Sequence, residues 1–205
     1  MERLIISVDA FLRSMTGTVF SARPVPLPEG DVYPISDHQR KKSVSLLRIN
    51  HVGEVCAQGL YQGQILSSVN LALQKQLFRA AVEEFDHLYW CLSRLRELDA
   101  SPSKLLPIWY ISSFLIGFFA GSCGDQWSLG FLEETEKQVV RHLEEHLEVL
   151  ADEDPKSYAI FSVMKKEEQQ HQNHANLSGA RKLPTPIRNA MWFMSRVMAF
   201  VSPKI

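Results

Sequence analysis

Two short units in the sequence, each a glutamate followed three residues later by a histidine, have the composition of a metal-binding half-site. The first is Glu84 with His87, and the second is Glu168 with His171. Residues three apart share a face of a helix, so each unit would present a carboxylate and an imidazole together. A single unit of this kind is common on solvated helices, but two matched units indicate a shared site.

Each unit is preceded by one further glutamate, so the chain contains the same half-site twice. Glu54 precedes the first unit by thirty residues, and Glu136 precedes the second by thirty-two. Helical spacing places Glu54 on the face of Leu47 and Tyr61, and places Glu136 at the head of an apolar stripe that continues to Val140. Glutamates on apolar stripes are expected to point into the core.

Buried carboxylates need a cation, because removing their charge from water is costly. No lysine or arginine lies on these stripes near the glutamates, whereas two histidines do. Imidazole with carboxylate suits iron or manganese better than magnesium, and two divalent ions would balance four negative charges. Ion-pair networks, buried or at the surface, are the alternative. The predicted metal ligands, beyond which we assign no catalytic residue, are Glu54, Glu84, His87, Glu136, Glu168 and His171.

Other side chains near these stripes have less specific patterns. His51 and His142 could each orient a ligand carboxylate, or be ordinary histidines. Tyr61 could lie near the metals or simply fill the core, and Cys91 is expected in the core. The histidines expected to be exposed are His38, His146 and His174.

The composition indicates one globular domain and argues against nucleic acid as a partner. The chain has 205 residues, 45% of them hydrophobic, and its 22 basic residues nearly balance its 23 acidic ones, with no basic stripe interleaved with aromatic residues. Its three cysteines are far apart, which favours a reducing compartment over a disulfide framework or a zinc site. The N-terminus resembles a short amphipathic helix rather than a signal or transit peptide.

Helical periodicity continues through the body of the chain, with no alternating strand pattern. A proline-rich linker at residues 23–33 follows the N-terminal helix, so we predict an N-terminal helix with linker (1–30) and a main domain (31–205). Four long helices with one extended connection predict an all-α, ferritin-like four-helix bundle. The predicted bundle helices are 37–69, 71–98, 124–151 and 156–176, with a connecting helix at 103–120 and a C-terminal amphipathic helix at 186–201.

Two segments are more apolar than the outer face of a bundle requires. Residues 105–121 are apolar all round, and residues 187–201 mix aromatic and basic side chains in the manner of a membrane-surface helix. The first segment is too short and too interrupted to favour a membrane span. We expect both segments to contact lipid, through Phe114 and Phe118 in the first and Trp192 and Phe193 in the second. The alternative is that the two segments pack together or lie in an oligomer interface.

Several motifs resemble the demethoxyubiquinone hydroxylases of ubiquinone biosynthesis, bacterial members in particular. They are RINHVGE at 48–54, EEFDHL at 83–88, GDQWSLG at 124–130 with ETEKQVVRHL at 134–143, KEEQQH at 166–171 and KLPTP at 182–186. The resemblance covers nearly the whole chain from His38 onward. It departs from the family pattern at Cys56, Gln58 and the pair Gln169 and Gln170, and no ligand position is lost.

The resemblance implies a di-iron monooxygenase that hydroxylates the benzoquinol ring of a polyprenylated ubiquinone precursor with dioxygen. It implies two iron ions per chain, with manganese still possible, and a peripheral membrane protein on the cytoplasmic face of the bacterial inner membrane. A homo-oligomer, or association with other ubiquinone-biosynthesis proteins, would be compatible with it. A ferroxidase or peroxidase of the ferritin or rubrerythrin type is the alternative, but such an enzyme has no evident use for the apolar connecting helix.

Overall fold

The computed structural model describes residues 1–29 and 33–204, and all regular secondary structure within them is helical. This confirms the predicted all-α class. Within these ranges there are seven α-helices and one short 3-10 turn: α1 (Glu2–Thr16), α2 (Asp37–Ser67), α3 (Leu71–Glu97), α4 (Leu106–Ser122), α5 (Asp125–Leu150), α6 (Pro155–Leu177), α7 (Thr185–Val201) and the turn Ser202–Lys204.

Local side-chain chemistry sets where the helices begin. At the start of α2, the Ser36 hydroxyl accepts a hydrogen bond from the Gln39 amide (3.3 Å), and the Gln39 side chain accepts one from the Ser36 amide (2.8 Å). Asn70 and Asp154 accept first-turn hydrogen bonds in the same way at α3 and α6. Only α4 begins well away from its predicted start, because Pro107 fixes the first helical turn there.

Four helices enclose the interior in which the predicted ligands lie. Helix α2 packs against α3 and α5 packs against α6, while α3 also contacts α6 and α2 also contacts α5. Two apolar clusters fill the interior at different positions along these helices. One cluster contains Leu47, Cys91, Leu95, Leu143 and Phe161, and the other contains Tyr61, Leu77, Ala81, Leu132 and Ala175. On each helix the predicted ligands fall between these two clusters in sequence.

Helix α4 lies directly against α2 because glycines remove the side chains at the crossing. A Cβ atom on Gly63 would overlap the carbonyl oxygen of Phe114, and one on Gly117 would overlap the carbonyl oxygen of Leu60. The two backbones therefore touch with nothing between them. The connecting helix is thus packed tightly on α2 at backbone contact.

The N-terminal helix is present as predicted and packs on the same side of the molecule. The Ser7 hydroxyl donates to the side-chain oxygen of Gln62 (3.1 Å), and the ring of Phe11 meets that of Tyr110 edge-on at 5.1 Å between centroids. Part of the predicted linker, residues 30–32, lies outside the described residues, and so does the predicted boundary between residues 30 and 31.

The outward faces of α4 and α7 are apolar. On α4 the exposed side chains include those of Ile108, Ile111 and Phe119, whereas Phe114, which was expected to face lipid, is half-buried against the apolar cluster around Leu88. Helix α7 has no fully buried residue, and its exposed side chains include Trp192, Phe193 and Phe200. Among the described residues, no helix combines the length and the hydropathy that crossing a bilayer requires.

Candidate metal centre

The six predicted ligands are all buried, and they come from the four enclosing helices. Helix α2 supplies Glu54, α3 supplies Glu84 and His87, α5 supplies Glu136, and α6 supplies Glu168 and His171. Four of the six, Glu54, Glu84, His87 and Glu168, each place a ligand atom within 4.8 Å of the others. The apolar stripes therefore predicted the inward direction of the glutamates correctly.

The two histidines point their Nδ1 atoms at the same pair of carboxylates. Nδ1 of His87 lies 2.9 Å from Glu84 and 3.0 Å from Glu168, and 3.8 Å from Glu54. Nδ1 of His171 lies 3.0 Å from Glu84 and 3.3 Å from Glu168. Each of these two carboxylates thus lies between two imidazoles, one from its own helix and one from the other half-site.

Glu136 completes the group from the side of α5. Its Oε1 atom accepts a hydrogen bond of 2.9 Å from the hydroxyl of Tyr61, which is fully buried on α2. Tyr61 therefore fills the core and contacts a predicted ligand at once. The sequence had placed it on the face of Glu54 without assigning it a role.

Crowding of carboxylates controls the protonation of the group. Burial, together with the negative charges of Glu84 and Glu168, raises the pKa of Glu54 well above its ordinary value. Burial and the same two neighbours raise the pKa of Glu136 in the same way. For Glu84 burial acts in the same direction, but the charge of His87 and hydrogen bonds from both histidines outweigh it and lower the pKa of Glu84 well below its ordinary value.

The neighbouring carboxylates also raise the pKa values of both histidines. Burial alone would lower the pKa of His171, but hydrogen bonds and charge from Glu168 and Glu84 raise it to about 12. The pKa of His87 is likewise raised well above its ordinary value, because Glu84 and other carboxylates outweigh burial. In this arrangement the carboxylates compete for two imidazolium charges, and Glu54 and Glu136 are left favouring their protonated forms.

This donor set is consistent with a metal-binding site. Four ionised carboxylates would carry more negative charge than two imidazoles can neutralise, and within the described part of the chain the ion-pair partners of Glu54, Glu84 and Glu168 are histidines rather than lysine or arginine. Neutral imidazole and ionised carboxylate are the ligand forms that iron and manganese bind. Bound metal would keep Glu54 and Glu136 ionised in place of protons.

Two further glutamates, missed in the sequence, hold the outer nitrogens of the histidines. Nε2 of His87 lies 2.7 Å from Glu167, and Nε2 of His171 lies 2.7 Å from Glu83. A carboxylate in this position fixes the ring and raises its basicity toward a metal. The available signal was the doubled glutamate in both motifs, EEFDH and EEQQH, whose first member contacts the histidine of the other half-site.

Three other histidines, His51, His142 and His146, are not among the six predicted ligands. His51 is buried, and burial together with the charge of Arg96 lowers its pKa to about 4. The expectation that His146 is exposed is wrong, because it is buried and its Nδ1 accepts a 2.9 Å hydrogen bond from the Asn50 amide. His142 is half-buried and lines the cavity described next.

An apolar cavity of about 200 Å³ reaches Glu54 from the side of α4 and α7. Its walls are contributed by α2, α4, α5 and α7, including Trp109, Phe131 and Met194. Gln138 and His142 are polar side chains in the same lining. The cavity therefore joins an apolar outer surface to one carboxylate of the candidate metal centre.

Comparison with known proteins identifies relatives over the whole chain. The model of the family described as "Ubiquinone biosynthesis protein COQ7" matches residues 41–202. A 3-demethoxyubiquinol 3-hydroxylase of Xanthomonas oryzae pv. oryzae (strain PXO99A) is 46% identical over 205 residues, which cover 100% of this chain and 94% of that protein. The enzyme of the same name from Xylella fastidiosa (strain 9a5c) is 45% identical over 208 residues, with the same coverage of 100% and 94%.

Proposed function

The chain belongs to the COQ7 family of ubiquinone biosynthesis proteins, and from this premise we propose that it is a 3-demethoxyubiquinol 3-hydroxylase working through two metal ions. The observation that carries the proposal is the buried group of four carboxylates and two imidazoles with an apolar cavity reaching one of its members. A hydroxylase of a lipid quinol needs both features: a centre that activates dioxygen, and an apolar approach for the ring.

We assign the metals to the six residues predicted from sequence. Glu54, Glu84 and His87 would supply one half of the ligands, and Glu136, Glu168 and His171 the other. Two iron ions per chain are proposed, and manganese remains compatible with the same donors. When bound, they would supply the activation of dioxygen that ring hydroxylation requires. The arrangement of α2, α3, α5 and α6 around these residues supports a ferritin-like four-helix bundle.

The surrounding side chains have defined tasks in this scheme. The Tyr61 hydroxyl donates to Glu136 and thereby holds one carboxylate oxygen in a fixed direction. The apolar clusters on both sides of the site exclude bulk water, which would otherwise compete for the ligand positions. Gln138 and His142 are two of the polar side chains in the cavity lining that can hydrogen-bond the oxygens of a quinol ring.

The substrate is proposed to enter between α4 and α7 with its ring toward Glu54 and its prenyl tail toward the outer surface. A quinol with a long tail stays in lipid, so the cavity must open at a membrane surface. We therefore propose peripheral attachment through the exposed faces of α4 and α7, on the cytoplasmic face of the bacterial inner membrane. Oligomerisation, and contact with other proteins of ubiquinone biosynthesis, remain predictions. A ferroxidase or peroxidase would leave this apolar cavity without a role.

Anaerobic loading with Fe²⁺, followed by dioxygen uptake with a demethoxyubiquinol and a two-electron reductant, tests the proposal. We expect two iron ions per chain and a hydroxylated quinol as the product. The Glu136→Ala variant should lose turnover while keeping its helical circular dichroism, and Glu148→Ala, which changes an exposed glutamate on the same helix, should keep both. One iron or fewer per chain, an active Glu136→Ala variant, or dioxygen uptake without ring hydroxylation would contradict the proposal.

A further inference from the structure

The two halves of the candidate metal centre are matched in their inner residues but differ in how their outer residues are held. In both halves a histidine directs Nδ1 inward and Nε2 to an outer glutamate, at 2.7 Å in each case. The outer glutamate of His87 is Glu167, whose side chain is 19% exposed, whereas that of His171 is Glu83, whose side chain is 53% exposed. The two halves therefore differ at the outer glutamates, which contact the ligand histidines but are not predicted ligands themselves.

Arg23, from the segment between α1 and α2, immobilises Glu167. Its Nη1 and Nη2 atoms donate to the two carboxylate oxygens of Glu167 at 2.6 and 3.0 Å, which is a bidentate arrangement. Its Nε atom donates to Asp86 at 2.5 Å, and its guanidinium lies over the ring of Trp90. Arg23 thus ties α6, through Glu167, to α3, through Asp86.

Asp86, the second carboxylate that Arg23 contacts, is itself fixed in place. Asp86 is buried and also accepts hydrogen bonds from the Ser21 hydroxyl (2.8 Å) and the Ala22 amide (2.9 Å).

The ion pair that the described residues provide for Glu83 is the one with His171. A long, half-exposed side chain such as that of Glu83 loses rotamer freedom when it pairs with an imidazole. Glu83 therefore holds the ring of His171 less firmly than Glu167 holds that of His87.

We propose that Arg23 is a positioning residue that makes the two metal sites unequal, so that the metal bound with His87 is held more tightly than the metal bound with His171. The chain of contacts runs from Arg23 through Glu167 to His87, and its effect is to fix the imidazole before a metal arrives. Outer carboxylates of this kind change metal affinity by about 10- to 100-fold. The inference rests on the proposed two-metal function.

Anaerobic titration with Co²⁺, followed by visible absorption and by competition with a chelator, measures the two affinities without turnover. The wild-type chain should bind two ions in two resolved steps. Arg23→Gln, which leaves Glu167 in place, should weaken the tighter step by about 10-fold, the lower end of what loss of an outer carboxylate costs, and leave the weaker one nearly unchanged. Glu83→Gln is the matched control, and it should weaken only the weaker step. Arg23→Lys, which keeps the charge but not the bidentate geometry, should fall between wild type and Arg23→Gln.

Circular dichroism and the metal-free melting temperature separate positioning from folding, since a purely structural loss would weaken both steps together. If Arg23→Gln does not fold, Arg23→Lys carries the test alone and must still weaken the tighter step selectively. Two ions bound with equal affinity in the wild type, or a variant of Arg23 that weakens both steps equally, would overturn the inference while leaving the two-metal function in place. Fewer than two ions per wild-type chain would overturn both.

Discussion

Apolar side chains on the outer face of α4 should contribute measurably to membrane binding, and the double variant Ile111→Asp, Phe119→Asp removes two of them. Ile111 is 51% exposed and Phe119 is 66% exposed, so lipid can cover the equivalent of slightly more than one complete side chain. Complete burial of one such side chain is worth about 1.5 to 3 kcal/mol. The variant should therefore lose about 2 to 3.5 kcal/mol of membrane binding, or about 30- to 400-fold in partition coefficient.

The partition coefficient can be measured by co-sedimentation with vesicles of phosphatidylethanolamine and phosphatidylglycerol, using metal-loaded protein. The matched control is Tyr158→Asp, Leu177→Asp on α6, which packs against α5 and α3. These residues are 40% and 86% exposed, so the control removes a similar exposed fraction and adds the same charge. It should bind vesicles as the wild type does, because only the position of the change differs.

Activity should follow the same pattern if the substrate enters at this surface. The α4 variant should lose more activity on a long-tailed demethoxyubiquinol in vesicles than on a short-tailed, water-soluble analogue. Unchanged vesicle binding by the α4 variant, or an equal loss in the α6 control, would refute the argument and show that the apolar face of α4 serves another purpose.

Three further predictions concern the scaffold and the centre. Gly117→Val should destabilise the fold by about 1 to 3 kcal/mol in urea unfolding, because its side chain would meet the α2 backbone. Asp154→Asn should cost about 3 kcal/mol near neutral pH by breaking the buried pair with Arg94 (2.8 Å). Hydrogen bonds from Ser157 and the charge of Arg94 outweigh burial and lower the pKa of Asp154 in the folded protein. The stability from this ion pair is therefore present above the ordinary pKa of an aspartate and is lost as the pH falls through the pKa in the folded protein. The wild type and the Asp154→Asn variant should consequently converge in stability in acid. In the metal-free chain the pKa values of Glu54 and Glu136 are raised, so the folded state holds their protons more tightly than the unfolded state does. The resulting stabilisation is fully present below the ordinary carboxyl pKa and is lost as the pH rises. The melting temperature of the metal-free chain should therefore fall above about pH 5. Metal loading should reduce that fall, and an unchanged slope would count against these ligands.

The helices and the inward glutamates were predictable because both depend on local rules. Helical period fixes which residues share a stripe, and the cost of burying a carboxylate restricts what can lie beside it. Glu54 and Glu136 satisfied both conditions, and the structure buries them where the stripes placed them. Caps such as Ser36 with Gln39 are equally local, which is why the predicted start of α2 agrees with the structure.

The outer contacts were not predictable because they join residues that are distant in sequence. Arg23 reaches Glu167 from a proline-rich segment in which no periodicity indicates direction. His146 seemed exposed among its acidic neighbours, but Asn50 of another helix gives its ring a buried partner. On α4 the apolar residues surround the helix, so the sequence could not distinguish its inner face, with Phe114, from its outer one.

Helix α2 connects the proposed membrane surface to the metal centre, because it carries Glu54 and also crosses α4 at backbone contact. Gly63 and Gly117 leave no side chain at this crossing that could change rotamer and absorb a displacement of α4. A force that moved α4 along the bilayer would therefore have to move α2 with it. Hence a displacement of α4 would be passed to Glu54 instead of being absorbed at the crossing, and under the proposed attachment to lipid the position of α4 would set the distance from the cavity mouth to Glu54.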